Sequence, residues 1–230
     1  MKKCIVISDS FKGTLSSLDI CDIAKQSISR FFSKCEVIAL PVADGGEGTV
    51  ECFVEGINAD PVTVSASGPH GESLNAVYAR HGNQAIIEMA SVAGLPLVSG
   101  HLDPLNTTTF GVGQLIRHAI ENGCSEILLG LGGSCTNDGG CGCAAALGVK
   151  FFDKEGKSFI PTGGSLRNIH KIDCTDARVL LKDVQITVMC DVENPLYGTF
   201  GAAYVFGPQK GADEQMVQEL DVGLRNLSAV

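Results

Sequence analysis

Ile127-Leu128-Leu129-Gly130-Leu131-Gly132-Gly133-Ser134-Cys135-Thr136-Asn137-Asp138-Gly139-Gly140-Cys141-Gly142 is an apolar run that breaks into a glycine-rich turn carrying Ser, Thr, Asn and Asp. A short continuous apolar run ending at glycine suits a strand buried on both faces of a parallel sheet. Gly130, Gly132, Gly133 and Gly139 permit positive φ and let a ligand come close to main-chain N–H groups. Ala144-Ala145-Ala146-Leu147, stopped by Gly148, reads as the body of a helix whose unpaired N–H groups would face the loop. The stretch therefore predicts strand, loop and helix, with a phosphate or carboxylate held at the turn. A ligand-free turn would need the glycines but not Ser134, Thr136, Asn137 and Asp138 together. Polar side chains this dense at a strand's carboxyl end mark where open α/β sheets bind ligands.

The same grammar recurs on the N-terminal side. Cys4-Ile5-Val6-Ile7 predicts an opening strand, followed by the polar loop Ser8-Asp9-Ser10-Phe11-Lys12-Gly13-Thr14. Ser16 with Asp19 has the form of an N-cap with an acidic third position, and Ile20, Ile23, Ala24, Ile28 and Phe31 continue at roughly helical spacing. Val37-Ile38-Ala39-Leu40 is a second strand, leading into the glycine loop Pro41 to Thr49 and a short helix over Val50 to Val54. From Pro61 the pattern changes to alternation and a strong turn at Gly68-Pro69-His70-Gly71, which predicts an antiparallel hairpin or meander through Met89. A domain boundary falls near residue 60.

Asn106 to Asn122 is expected to be helical, with Gly123 as its stop. Gly111 and Gly113 in its first turns each cost about 1 kcal/mol relative to Ala, which points to a close backbone approach. Beyond the central loop, Val149 to Gly156 predicts a strand and tight turn. Ile186-Thr187-Val188-Met189-Cys190 is expected to be a further buried strand that delivers Asp191 and Asn194 at its carboxyl end. Leu220, Leu224 and Leu227 form a helical stripe without a terminating cap, and an apolar face in search of a partner is expected there.

Composition narrows the function classes. A net charge of −9 over 230 residues argues against a nucleic-acid partner, because such binding rests on phosphate neutralisation by Lys and Arg. No apolar run approaches the ~18 residues that a bilayer span requires, and Cys4 to Ile7 is too short for a signal peptide, so a cytoplasmic protein without a membrane partner is expected. The ten cysteines sit mostly inside apolar runs without C-x-x-C pairs, the pattern of buried reduced thiols. Cys141 and Cys143, one residue apart, lack the second Cys or His cluster of a metal site.

Four stretches taken together, Ser8 to Thr14, Ala43 to Thr49, Gly132 to Gly140 and Asp191 through Lys210, resemble the bacterial glycerate kinase family, of the type that phosphorylates glycerate at its 2-hydroxyl. The resemblance runs through essentially all 230 residues. It implies an α/β fold of two domains with mostly parallel sheets, one of them discontinuous and completed by C-terminal chain, with the active site in the cleft between them. It implies ATP and Mg2+ as cofactors and glycerate as small-molecule partner. A family member would continue well beyond Val230, so this chain is expected to be the N-terminal part, with residues 1–60 a segment of the discontinuous domain and residues 61–230 a second, incomplete domain. Cys135 and Cys143 stand where the family usually carries small or apolar residues.

Phosphoryl transfer to an alcohol requires positive charge on the phosphates, a metal ion and an acceptor for the hydroxyl proton. No Gly-x-x-x-x-Gly-Lys-Ser/Thr stretch is present, and Gly130-x-Gly132 lacks the third glycine of a dinucleotide fingerprint. Lys12 and Lys210, each in a glycine loop, are the candidate cations, favoured further by the resemblance. Asp44, Asp138 and Asp191 each follow a strand, where a carboxylate can hold Mg2+ or take a proton. Asp191 is the first choice for base or metal ligand and Asp44 the second. Ser10, Lys12 and Thr14 are candidate partners of the glycerate carboxylate. Gly45, Gly46, Gly132, Gly133, Ser134, Asn137, Asp138, Asn194 and Lys210 are the remaining candidates for binding substrate or nucleotide. Two other readings stay open at this level: a ligand-binding chain without turnover, and a nucleotide-dependent oxidoreductase.

Overall fold

The computed structural model describes residues 2–11 and 14–230. Strand β1 (Lys2–Ser8) leads through the first polar loop to helix α1 (Ser17–Phe31) and strand β2 (Cys35–Pro41), which pairs with β1 in parallel. The expected cap is present: the Asp19 N–H donates to Ser16 Oγ at 3.0 Å, and the Ser16 N–H donates back to the Asp19 carboxylate at 3.1 Å. Ser17 fixes the helix to both strand ends, its hydroxyl donating to Ser8 O at 2.6 Å and accepting from the Val42 N–H at 3.0 Å. This two-stranded sheet leaves apolar side chains open, with Ile5 and Ile7 each 61 % exposed.

Helix α2 (Thr49–Ile57) follows the second glycine loop. Although it lies within the first sixty residues, Val50, Phe53 and Val54 pack with Ala79 and Ile86 of the next sheet. That sheet begins with β3 (Asp60–Ser67), β4 (Ser73–His81) and β5 (Gln84–Glu88), the antiparallel meander expected from the turn at residues 68–71. After α3 (Ala90–Ala93) and a long loop, α4 (Phe110–Glu121) returns the chain to β6 (Glu126–Gly130), parallel to β5. Helix α5 (Cys141–Ala146) follows. A small antiparallel sheet comes next, from β7 (Lys150–Phe152), β8 (Ser158–Phe159) and β9 (Lys171–Asp173). Helix α6 (Thr175–Leu180) leads to β10 (Gln185–Met189), parallel to β6, and the chain ends with α7 (Ala202–Phe206) and α8 (Glu214–Ala229). The large sheet has the order β10-β6-β5-β4-β3. The α/β class holds, with parallel pairing confined to β1–β2 and to the β5-β6-β10 half of the large sheet.

Tyr78, Ile87, Val112, Leu115, Ile116 and Ile127 form the main core under α4, each almost without solvent contact. Gly111 and Gly113 explain how the helix seats so deeply. A Cβ at either position would collide with backbone carbonyls, of Ser67 and Cys143 respectively, so the close approach expected from the sequence is real.

Three expectations change. Helix α4 starts at Phe110 rather than Asn106, because the Thr109 N–H is engaged by the Asp138 carboxylate and the preceding residues form a separate turn. Strand β10 is not buried: it is the edge of the large sheet, and Ile186 and Val188 are 37 % and 47 % exposed. A continuous apolar run states a preference for burial and cannot state whether a covering layer is present. The α8 stripe is not left open: Leu220 and Leu224 pack with Phe151, Leu166, Ile169 and Ala203. Burial of each such side chain contributes about 1.5–3 kcal/mol, enough to hold the helix without a C-terminal cap.

Gly130 sits where the loop after β2 crosses the large sheet, and a Cβ there would fall well inside contact distance of the Gly45 carbonyl. Gly130→Ala is therefore expected to lower stability by about 1–3 kcal/mol through forced displacement of one backbone from the other. Chemical denaturation of the variant against wild type checks this.

Candidate functional site

At the carboxyl end of β6 the chain enters the predicted loop, and backbone hydrogen bonds hold it on both sides. The Gly132 N–H donates to Gly45 O at 3.1 Å, tying it to the loop after β2. On the other flank the Leu95 N–H donates to Gly133 O at 2.9 Å and the Cys135 N–H to Ala93 O at 2.8 Å. Gly133, Gly139 and Gly140 take φ of +73°, +60° and +75°, which side chains other than glycine disfavour. Gly130 and Gly132 serve close packing instead, as a Cβ on Gly132 would press into Gly46.

Asp138 organises the far end of the loop. Its carboxylate is 1 % exposed and accepts four hydrogen bonds: Oδ2 from the Thr109 N–H and hydroxyl, both at 2.8 Å, and from the Gly142 N–H at 3.1 Å, and Oδ1 from the Gly140 N–H at 3.0 Å. The start of α5, expected to face a bound anion, is thus occupied by the protein's own carboxylate. Burial raises the Asp138 carboxyl above the ordinary range, and the four donors pull against that shift without cancelling it. Its role is to join α4, the loop and α5.

Beside this loop lies a cavity of about 390 Å³. One side is the polar turn Gly132, Gly133, Ser134 and Asn137; the other is apolar, from Leu95, Leu131, Val192, Leu196 and Phe206. Lys210 enters from the turn Pro208–Lys210 and is 7 % exposed. Its ammonium donates to Ser134 Oγ at 2.9 Å and to Thr136 O at 2.5 Å, and no carboxylate pairs with it among the described residues. Burial pushes its pKa down to about 8, offset only in part by Cys135 and Asp138 nearby. A buried cation held by neutral oxygens leaves room for one negative ligand, which would restore its charge. Asn137 is 6 % exposed, and its Oδ1 is buried without a hydrogen-bond partner among the described residues.

The other predicted residues are distributed around this centre. Gly45 and Gly46 are buried against Gly130 and Gly132, and Asp44, exposed beside them, accepts from the Gly46 N–H at 2.9 Å. Asp191 is exposed at the end of β10, next to Val192 of the cavity wall, so it is not fixed by the buried strand expected from the sequence. Asn194 is exposed and ties its own loop by donating to Phe200 O at 2.9 Å. Ser10 and Thr14 line a second, smaller cavity of about 280 Å³ between the loops after β1 and β2. Its described walls add the carboxylates of Asp9, Glu47 and Glu51. Lys12 lies outside the described residues. Cys135, Cys141 and Cys143 are thiols whose pKa burial pushes to about 11, 12 and 12, which makes them poor nucleophiles.

Two participants escaped the sequence. Thr109 supplies two of the four donors to Asp138; its signal was the run Thr107-Thr108-Thr109 ahead of a helical pattern. Glu88, at the end of β5, accepts from the Val50 N–H at 3.1 Å and so fixes the start of α2. A single Glu at a strand end carries no such mark.

The glycerate kinase family model matches residues 4–230. The chain belongs to the glycerate kinase family. It is 42 % identical over 231 residues to the glycerate kinase of Bacillus cereus and, over the same length, 42 % identical to the glycerate 2-kinase of Escherichia coli K12. Each match covers 99 % of this chain and 61 % of the relative, so the chain spans about three fifths of the length of these curated relatives. A crystal structure from Salmonella typhimurium LT2, assigned as glycerate kinase 2, superposes with a TM-score of 0.87 at 42 % identity, covering 99 % of this chain and 62 % of that one. Among the described residues no helix is long and apolar enough to cross a membrane.

Two outcomes follow from the site geometry. Asp138→Ala strands buried donors at about 1–3 kcal/mol each and should cost at least about 3 kcal/mol in denaturant unfolding, with Asp138→Asn milder because one acceptor oxygen remains. Lys210 is depressed from 10.5 to about 8 in the folded chain, so the unfolded chain binds the extra proton between those values. Stability should therefore rise with pH between about 8 and 10.5, and Lys210→Met should abolish that rise in melts recorded across the window.

Proposed function

We propose that this chain provides the phosphate-holding part of a kinase that transfers the γ-phosphoryl group of ATP to the 2-hydroxyl of glycerate, giving 2-phosphoglycerate and ADP. The observation that carries the proposal is the buried ammonium of Lys210, without a carboxylate partner among the described residues, on the Gly132-Gly133-Ser134 turn of a glycerate kinase family chain. In this assignment Lys210, Ser134 and the N–H groups of Gly132 and Gly133 hold phosphate oxygens, and the apolar wall from Leu131 to Phe206 takes the flat, less polar part of the nucleotide. Loops carrying Gly45, Gly46, Asn137, Asp138 and Asn194 shape the cavity, Asp138 by support from behind.

Asp191 is proposed to receive the glycerate hydroxyl proton as oxygen attacks phosphorus and the bond to ADP breaks. It is exposed, and no hydrogen bond holds it among the described residues, which leaves its carboxylate free to turn toward a substrate. Asp44, on the loop locked to Gly132, is proposed as the second carboxylate, with Lys12, Ser10 and Thr14 on the glycerate side. Mg2+ suits this donor set, since it takes one or two carboxylates and completes its shell with water and phosphate. When bound it would neutralise charge on the transferring phosphate; Asp191 and Asp44 are the residues to hold it. We place the reaction in the cytoplasm, where ATP is at hand, with no nucleic acid or membrane as partner.

The open apolar face of β1 and β2 supports a second outcome for the chain taken by itself, ligand binding without turnover. Coupled ADP release with and without glycerate, with phosphorus NMR of the product, tests the assignment. Glycerate-dependent ADP and a 2-phosphate signal are expected from the active enzyme, and Asp191→Asn should reduce turnover at least about 10²-fold while leaving the melt unchanged. Near-normal turnover in that variant removes Asp191 from the chemistry, and ADP release indifferent to glycerate removes the substrate.

A further inference from the structure

We infer that Asp221, on α8, is the positioning residue of the loop between β10 and α7, holding Val192 and Leu196 at the wall of the cavity beside Lys210 and Asp191 next to them. This role rests on the reading of that cavity as a nucleotide site and adds what keeps its apolar wall in place.

Residues 191–200 are exposed almost throughout, Gly198 alone being half-buried, and none of them joins the apolar clusters that hold the large sheet and α8. Packing therefore does not fix this segment. Its inner ties are local: Asn194 Nδ2 donates to Phe200 O at 2.9 Å, the Gly201 N–H to Gly198 O at 2.7 Å and the Ala202 N–H to Leu196 O at 3.3 Å. They give the loop a shape and leave its place open. The place comes from α8, where Asp221 Oδ1 accepts from the Gly198 N–H at 2.5 Å, the one hydrogen bond among the described residues that joins the segment to an element other than its own ends. Gly198 takes φ of +95° with open space where a Cβ would stand, so glycine serves there to turn the backbone.

The ion pair with Arg225 alone does not account for the burial of Asp221. The Asp221 side chain is 9 % exposed against 59 % for Arg225, its i+4 partner at 3.2 Å. Helical pairs of that spacing form on open surfaces and need no burial. A carboxylate withdrawn from water needs donors that stay, and Gly198 supplies one. Arg225, whose guanidinium lies 4.7 Å from the centre of the Tyr197 ring, braces the carboxylate and the neighbouring loop residue together. Three positions on from Asp221, on the same face of α8, Leu224 lines the cavity with Val192 and Leu196. One helix face thus supplies part of the cavity and the clamp on its opposite wall.

Asp221→Ala, Asp221→Asn and Arg225→Ala, compared with wild type by isothermal titration of this chain with ADP and with pyrophosphate, test the role. ADP needs the loop as well as the Lys210 end of the cavity, whereas pyrophosphate needs the Lys210 end alone. Asp221→Ala should therefore lose about tenfold or more in ADP affinity, with pyrophosphate affinity kept within about twofold. Asp221→Asn retains an oxygen for the Gly198 N–H and should recover most of the ADP affinity. Arg225→Ala removes an exposed guanidinium, should fold as wild type does, and should lose about two- to fivefold for ADP with pyrophosphate unchanged. Equal losses for both ligands in Asp221→Ala, or no loss for ADP, overturn the positioning role and leave the cavity reading standing. An Asn variant as impaired as the Ala variant overturns it too, because the Gly198 bond is then not what matters. If Asp221→Ala does not fold, Arg225→Ala decides: a loss confined to ADP supports the role, and wild-type affinities for both ligands overturn it. Wild type that fails to bind ADP overturns the nucleotide reading of the cavity, and the role of Asp221 with it.

Discussion

A carboxylate without solvent holds the functional end of this molecule in shape. Asp138 draws the N–H and hydroxyl of Thr109 and the N–H groups of Gly140 and Gly142 onto two oxygens, and in doing so fixes where α4 begins, where α5 begins and where the loop between β6 and α5 must run. Burial works against the charged form and the four donors favour it. Such a group is stable only while all its partners are in place. The consequence is cooperative: the loop cannot relax at one point without exposing donors at three others. Rigidity of this kind is what a turn needs if its neighbouring N–H groups and Lys210 are to wait for an anion in fixed positions.

The second constraint is backbone against backbone. Gly45 and Gly46 lie on Gly130 and Gly132 so closely that a side chain on Gly130 or Gly132 would intrude. Through this contact and the Glu88 carboxylate at the start of α2, the segment that carries Asp44 is joined to the carboxyl ends of β5 and β6. Glycine therefore has two distinct uses here. At Gly133, Gly139 and Gly140 it supplies positive φ; at Gly130 and Gly132 it supplies absence of volume.

Features encoded over a few neighbouring residues were legible before the fold was known. The reciprocal cap of Ser16 and Asp19, the meander around the turn at residues 68–71 and the strand ending at Gly130 each rest on local spacing, and each stands as expected. Gly111 and Gly113 even disclosed a close approach, because their propensity cost demanded a tertiary reason. What depended on distant partners was not legible. The exposure of Ile186 and Val188 depends on whether anything covers β10, and the fate of Leu220 and Leu224 depended on residues 163–169 folding back beneath them. Asp138 was legible as a candidate, but its burial and its four donors were not. Its sequence neighbourhood showed a carboxylate on a glycine loop, but two of the four donors that consume it come from Thr109, at the start of α4 some thirty positions earlier.

Lys210 and Asn137 stand apart from this economy of satisfied groups. The pattern around them, among the described residues, is one of deficit: an ammonium with hydrogen bonds to neutral oxygens and no counter-ion, and on the same loop a buried amide oxygen with no donor. Each carries a desolvation cost in the empty fold. Folding holds both at a cost because the supporting shell, Asp138 behind the turn and the glycine contact beside it, is rigid enough to prevent the cavity from collapsing onto them. A ligand that brings an anion to Lys210 gains free energy that the fold itself has withheld. Because the shell around Lys210 is already rigid, such an anion would be met by donors that need no reorganisation to receive it.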